Sequence, residues 1–186
     1  MTALNIKKGT SRKSAYDLRR SRESDTETHT LSILVDNEAG VLARVVGLFS
    51  GRGYNIESLA VTEVDHTGHL SRITVVTTGR AHVIEQIKAQ LDRLIPVHQV
   101  VDLTVEGQSI ERELALLKVG SGESGAAEAL LVAEEFGATQ IESNPDVIVL
   151  ELTGTVRQID RFADRLLDCG LIEIARTGVV GIRVKE

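Results

Sequence analysis

The sequence predicts an α+β chain of two tandem βαββαβ domains, each a four-stranded antiparallel sheet with two helices on one face, the ferredoxin-like sandwich. Three observations carry this. Hydrophobic periodicity alternates between two and 3.6 in the order strand, helix, strand, strand, helix, strand, and then does so again. Short phrases recur in corresponding places: Asn55-Ile56-Glu57-Ser58 is answered by Gln140-Ile141-Glu142-Ser143, and Thr78-Gly79 by Thr153-Gly154, each Thr-Gly standing just before a helix. The two halves are offset by about 80 residues, one domain's length. The expected boundaries are a polar, basic tail over 1–28, a first domain over 29–106 and a second over 112–186.

The tail carries Lys7, Lys8, Arg12, Lys13, Arg19, Arg20 and Arg22 among Ser and Thr. It has too few apolar residues to offset its ordering entropy and is read as mobile. It also lacks the apolar helical face of an organelle transit peptide. Leu31 to Val35 alternates and predicts a strand burying Leu31, Ile33 and Val35. Val41 to Arg52 predicts a helix with Val41, Leu42, Val45, Val46, Leu48 and Phe49 on one stripe, ended by Gly51 and Gly53. Ile56–Val64 and Leu70–Thr77 flank the turn Asp65-His66-Thr67-Gly68 and predict an antiparallel hairpin. A second helix is expected from His82 to Leu94, stopped by Pro96, and a fourth strand over Val97–Val105. Gly107 to Arg112 reads as a linker.

In the second half, Leu114–Val119 is a strand, and the loop Gly120–Gly125 leads to a helix over Ala126–Phe136. Thr139–Glu142 and Val147–Leu152 are strands, Val156–Leu167 is a helix closed by Gly170, and Leu171–Val184 is a last, bent strand.

Composition excludes several function classes. The chain has 186 residues, 42% of them hydrophobic and 3% aromatic, so its core is aliphatic. A net charge of -6 argues against a nucleic-acid face, which needs clustered Lys and Arg. The lone cysteine, Cys169, forms no internal disulfide and fits a reducing, cytoplasmic setting. No apolar run approaches the roughly 20 residues of a membrane span. His29, His66, His69, His82 and His98 have no Cys, Asp or Glu at metal-ligand spacing and read as solvated or capping residues. Cys169 reads as a small packed side chain. Gly51-Arg52-Gly53 follows a helix and is not a dinucleotide fingerprint, and the Gly120–Gly125 loop lacks the Lys-Ser/Thr end of a phosphate loop. Nothing assembles a nucleophile, a base and an oxyanion site.

Binding has a better candidate. From Asn37 to Leu42 a strand passes into a helix through Gly40. First-turn N–H groups lack internal partners and the helix dipole adds partial positive charge, so a carboxylate fits there. Gly40 admits a ligand close to the backbone and Asn37 can orient it. The alternative is that Asn37 caps the helix and Gly40 only eases the turn. If the second strand is a sheet edge, Asn55 and Ile56 lie at a seam with a second copy, facing its Asn37–Gly40 turn.

The wording of two blocks is specific. Asp36-Asn37-Glu38-Ala39-Gly40-Val41-Leu42-Ala43-Arg44-Val45 and Leu48-Phe49-Ser50-Gly51-Arg52-Gly53-Tyr54-Asn55-Ile56-Glu57-Ser58-Leu59 resemble the ACT domain of the small, regulatory subunit of acetolactate synthase. Val100–Thr104, Arg112–Val119 and Ala175–Val179 resemble the same family, which thus extends over Thr30 to Val184. The resemblance implies a non-catalytic subunit with no cofactor of its own. It would activate a large catalytic subunit carrying thiamine diphosphate, magnesium and FAD, and confer feedback inhibition by valine in branched-chain amino acid synthesis. It further implies a homodimer through the ACT domains, with valine held by Asn37, Ala39, Gly40, Val41 and Leu42 of one chain and Asn55 and Ile56 of the other. The second domain has Gly120-Ser121-Gly122 where the first has Asp36-Asn37, and so lacks the asparagine. The alternative is a free-standing amino-acid-binding ACT protein with no enzyme partner; an independent enzyme is disfavoured by the missing catalytic constellation.

Overall fold

The computed structural model describes residues 26–120, 122 and 125–185. The expected tail lies outside the described residues as far as Asp25. Strand β1 spans Glu27–Asp36, helix α1 Val41–Gly51, β2 Ser58–Asp65, β3 Leu70–Gly79, α2 Ala81–Leu91 and β4 Val97–Asp102. The second unit has β5 Ser109–Gly120, α3 Gly125–Phe136, β6 Thr139–Ser143, β7 Val147–Gly154, α4 Val156–Leu167, β8 Leu171–Arg176 and β9 Val180–Arg183. The sheets are ordered β2-β3-β1-β4 and β6-β7-β5-β8, all pairs antiparallel, with β9 joining β5. This is the βαββαβ unit twice.

Each unit has its own core. In the first, Leu31, Ile33 and Val35 of β1 and Ile73 and Val75 of β3 pack against Val41, Val45 and Phe49 of α1 and Ile84, Ile87 and Leu91 of α2. In the second, Ala115, Leu117, Val119, Ile148 and Leu150 meet Ala129, Val132, Ile159, Phe162 and Leu166. Each fully buried aliphatic side chain is worth about 1.5–3 kcal/mol. Helix α4 has the bounds its periodicity predicts, because Thr155 and Gln158 close a capping box at its start.

The structure departs from the sequence reading in several places; besides the ends of α2 at Leu91 and β4 at Asp102, short of the expected Leu94 and Val105, these have clear physical causes. Strand β1 is longer and buried on both faces: Thr30 and Ser32 are as hidden as Leu31 and Ile33. The second face is covered from the other unit, where Ile182 and Arg183 of β9 line a small cavity with Ser32 and Arg72. Glu27 and Thr28, read as the end of the tail, pair with Gly79 and Thr78. Ser109 to Arg112, read as linker, is strand because it pairs with Val180–Arg183. The expected last strand is two, broken at Thr177-Gly178 where Gly178 takes φ +79°. His29 is not solvated: it is buried with Nδ1 2.7 Å from Oδ2 of the equally buried Asp102.

Gly178 also fixes how the units meet. The Val179 N–H donates to Ser58 Oγ at 2.9 Å. A Cβ on Gly178 would lie 2.7 Å from that Oγ and 3.3 Å from the Leu59 carbonyl oxygen. Gly178→Ala is therefore expected to cost about 2–3 kcal/mol in urea unfolding, from left-handed strain plus the clash. Gly137→Ala is the control: its φ is +71° with open space around the Cβ, so only the strain of about 1–2 kcal/mol applies. Equal losses at the two positions would show that the close approach at Gly178 contributes nothing.

Candidate functional site

The turn between β1 and α1 is pinned from two sides. The Asp36 N–H donates to the Pro96 carbonyl at 2.9 Å and the Asn37 N–H to the His69 carbonyl at 2.6 Å. Asp36 Oδ1 also lies 2.6 Å from His98 Nε2. Beyond the turn the chain enters α1 through Gly40 at φ +89°, and no side chain caps the helix. The capping alternative for Asn37 is thereby excluded; the Val41 N–H goes to the Glu38 carbonyl at 3.3 Å, which leaves the N–H groups of Leu42 and Ala43 as the first-turn donors available to a ligand. Asn37, Ala39 and Gly40 are exposed and Val41 is buried. Leu42, expected on the buried stripe, is 41% exposed. It occupies the first turn, next to Gly40, and gives the mouth an apolar rim.

The Asn37 side chain lies by the carboxylate of Glu63 on β2, which accepts from His66 Nδ1 at 2.7 Å. The Asn37 amide first, and His66 second, keep the Glu63 carboxyl below the ordinary 4.5. The hairpin tip is stiffened next door, where Asp65 Oδ1 accepts the N–H groups of Thr67 and Gly68, each at 2.9 Å. With its NH2 group turned toward Glu63, Asn37 has its carbonyl oxygen left to accept from a ligand's ammonium. Sequence reasoning missed Glu63 because an acid in an alternating strand carries no signal of its partner.

Asn55 and Ile56 sit elsewhere. Gly53 at φ +70° turns the chain out of α1, and the Tyr54 N–H closes on the Phe49 carbonyl at 3.0 Å. The Asn55 carbonyl accepts from Thr77 Oγ1 at 2.6 Å, leaving its side chain exposed, while Ile56 packs partly against the core. Asp36 pairs with Leu70, whereas Ser58 pairs with Val76. Six residues along one strand are about 20 Å, so one chain places the two halves of the expected site at opposite ends of its sheet. It does not bring them together. Strand β2 is the edge of that sheet.

The second unit's corresponding helix mouth differs. A Cβ on Gly125, the first residue of α3, would lie 2.6 Å from the Cys169 carbonyl oxygen. The chain's own backbone therefore crowds that mouth. Cys169 is buried, and burial pushes its thiol up from the ordinary 9.0. Among the described residues no three His, Cys, Asp or Glu cluster as a metal site, and no helix is long and apolar enough to cross a membrane.

Comparison with known proteins gives the following. A family model described as the AHAS small subunit-like ACT domain matches residues 31–99, and one described as the small subunit of acetolactate synthase matches residues 112–185. The chain is 42% identical over 153 residues to the acetolactate synthase isozyme 3 small subunit of Escherichia coli, covering 82% of this chain and 93% of that one. It is 41% identical over 166 residues to the acetolactate synthase small subunit of Aquifex aeolicus, covering 89% and 85%. The crystal structure of the acetolactate synthase small subunit from Thermotoga maritima superposes with a TM-score of 0.78 at 34% identity, covering 86% of this chain and 99% of that one.

The Asn37–Glu63 contact can be checked directly. A carboxyl depressed below its unfolded value keeps its bond at neutral pH and loses it only as pH falls through the folded value. NMR titration should place Glu63 below 4.5, and Asn37→Ala should move it up further than His66→Ala does. A larger shift from His66→Ala would mean that Asn37 is not the residue Glu63 holds.

Proposed function

The chain belongs to the acetolactate synthase small-subunit family, and from that premise we propose that it is the non-catalytic, valine-sensing subunit of a cytoplasmic acetolactate synthase. In this reading the thiamine diphosphate, magnesium and FAD that the reaction needs are held by the large catalytic subunit, and this chain brings no cofactor of its own. It activates that subunit and transmits feedback inhibition.

The observation that carries the reading is the uncapped mouth of α1 at Gly40. Its first-turn N–H groups and the helix dipole suit the carboxylate of an amino acid. The Asn37 carbonyl oxygen suits the ammonium, and Leu42 gives the branched side chain an apolar neighbour. The site is half a site. Antiparallel pairing of β2 with β2 of a second copy would carry that copy's Asn55 and Ile56 from the far end of its own sheet to this mouth. An effector held by both chains links occupancy to assembly, which is what a regulator requires. Preference for valine over leucine or isoleucine then rests on a methylene or so of pocket volume, about 1–3 kcal/mol.

Gly40→Asp tests the site in the complex reconstituted with the catalytic subunit. An aspartate here caps the helix with its own carboxylate and repels the ligand's. Activation of the catalytic subunit should persist while valine inhibition is lost, with a valine affinity at least about a hundredfold weaker, or roughly 2.8 kcal/mol. Gly40→Asn shares the left-handed backbone demand without the charge and should lose less. Full valine inhibition in Gly40→Asp would remove the effector from this mouth. Failure of the wild-type chain to associate with any catalytic subunit while still binding valine would favour a free-standing amino-acid sensor.

A further inference from the structure

Helices α1 and α2 run antiparallel over the first sheet, because each returns from one of the antiparallel strands β1 and β3. Between them lies a groove of about 450 Å³ lined by Arg44, Gly47, Leu48, Gly51 and Arg52 of the α1 side and Gln90, Arg93 and Leu94 of the α2 side. Arg44, Gly47, Leu48 and Gly51 fall on one helical face at i, i+3, i+4 and i+7. Antiparallel packing sets Arg93 near Arg44 at one end, with Arg52 at the other.

Three features of this groove are unexplained by the fold. From residue 26 onward the chain carries 14 Lys and Arg against 24 Asp and Glu, yet three arginines and no acid line this groove. Among the described residues, the ion pairs of lysine and arginine belong to Lys88, Lys118, Arg165, Arg176 and Arg183 instead. Gly47 stands mid-helix, where glycine is a poor helix former, and a Cβ on it, or on Gly51, would meet nothing within 4 Å. Packing within the chain therefore does not demand either glycine. Gln90 Oε1 is buried without a hydrogen-bond partner, and such a group calls for a missing partner. Rotating its amide end over end exchanges that oxygen for the NH2 group in the same place, so Gln90 can offer a donor to an acceptor entering the groove.

We propose that the α1–α2 groove of the first unit binds a small multivalent oxyanion, with Arg44 and Arg93 gripping one end, Arg52 the other, and Gly47 and Gly51 leaving the floor open. Guanidinium forks match phosphate and carboxylate oxygens alike. A second copy of the chain is the less suitable occupant, since a two-fold axis at the groove would set arginines against arginines. The site is separate from the helix mouth at Gly40, and the inference does not rest on the effector reading.

Calorimetric titration of the full chain with inorganic pyrophosphate, and separately with citrate, at constant ionic strength, tests it. Saturable binding of pyrophosphate is expected, weakened about tenfold or more by Arg44→Gln and by Arg93→Gln. Gly47→Ala should weaken it too without lowering the thermal midpoint, since alanine is the better helix former. Citrate binding as tightly supports an oxyanion site read by charge, and weaker citrate binding supports phosphate as the recognised group. Undiminished pyrophosphate binding in the Arg44→Gln/Arg93→Gln double variant overturns the proposal, as does binding of neither anion by the wild type. A change of oligomeric state in that variant with pyrophosphate binding intact would assign the face to chain–chain contact, and likewise overturns it.

Discussion

Ser109 to Gly120 is one uninterrupted strand of 12 residues with two sets of partners. Its first four residues pair with Val180–Arg183, and its remainder lies between β7 and β8. All three of its partners belong to the second unit, so the strand ties that unit together and holds β9 where it reaches the first. Because β9 is held on the near half of β5, it lies over the outer face of β1 and covers Thr30 and Ser32 there. Its approach is close: a Cβ on Gly181 would lie 2.5 Å from Leu103 Cδ1. The Leu103 carbonyl in turn accepts from Ser109 Oγ at 2.7 Å, fastening the start of β5 to the end of the first unit.

The point where β5 changes partners is locked electrostatically. Glu113, buried, receives both Nε and Nη2 of Arg176, at 2.9 and 2.5 Å, and Arg176 Nη1 reaches Asp160 on α4 at 2.7 Å. The carboxylates hold the guanidinium further above its already high value, Glu113 contributing most. Arg176 is exposed and Glu113 buried, so the pair itself adds little net stability, but removing Arg176 would leave a buried carboxylate without its cation. The pair's consequence here is specificity of register: only the observed pairing of β5 with β8 brings both forks together. The buried His29–Asp102 pair does the same between β1 and β4, where Asp102 also accepts the Thr104 N–H at 3.0 Å.

What the sequence discloses depends on how local the cause is. α4 is bounded correctly because its amphipathic period and its Thr155–Gln158 cap are both contained within it. The hairpin is legible because Asp65 and Gly68 make their turn by themselves. Ser109–Arg112 is not, since a polar tetrapeptide becomes strand only when a partner more than 60 residues away is laid beside it. His29 likewise gives no sign of Asp102, and Asn37 none of Glu63. In the candidate site the backbone half is partly readable, since Gly40 at a strand–helix junction suits a left-handed entry, although the sequence leaves open whether Asn37 caps the helix. The side-chain half is not, because it is set by a cross-strand neighbour, and because Asn55 and Ile56 sit about 20 Å away in the same chain.

That separation has a mechanical consequence. If the effector is shared between chains, the element it pulls on is the start of β2, at Asn55 and Ile56. Two residues further on, Ser58 Oγ accepts the N–H of Val179 in the second unit. Strand β2 is an edge, free on one side, and between it and β9 lies a cleft of about 350 Å³ lined by Leu59, Ala60, Val61, Thr62, Thr177, Val180 and Gly181. Close-packed interfaces transmit strain and resist it, whereas a gap leaves room for one strand to shift. The path from Ile56 to Val179 is therefore short, tied at the Ser58–Val179 hydrogen bond and at the close approach of Gly178, with open space only beside β2. A pull on the start of β2 thus reaches the second unit through packed backbone and a single hydrogen bond, the kind of contiguous contact by which coupling between sites is carried.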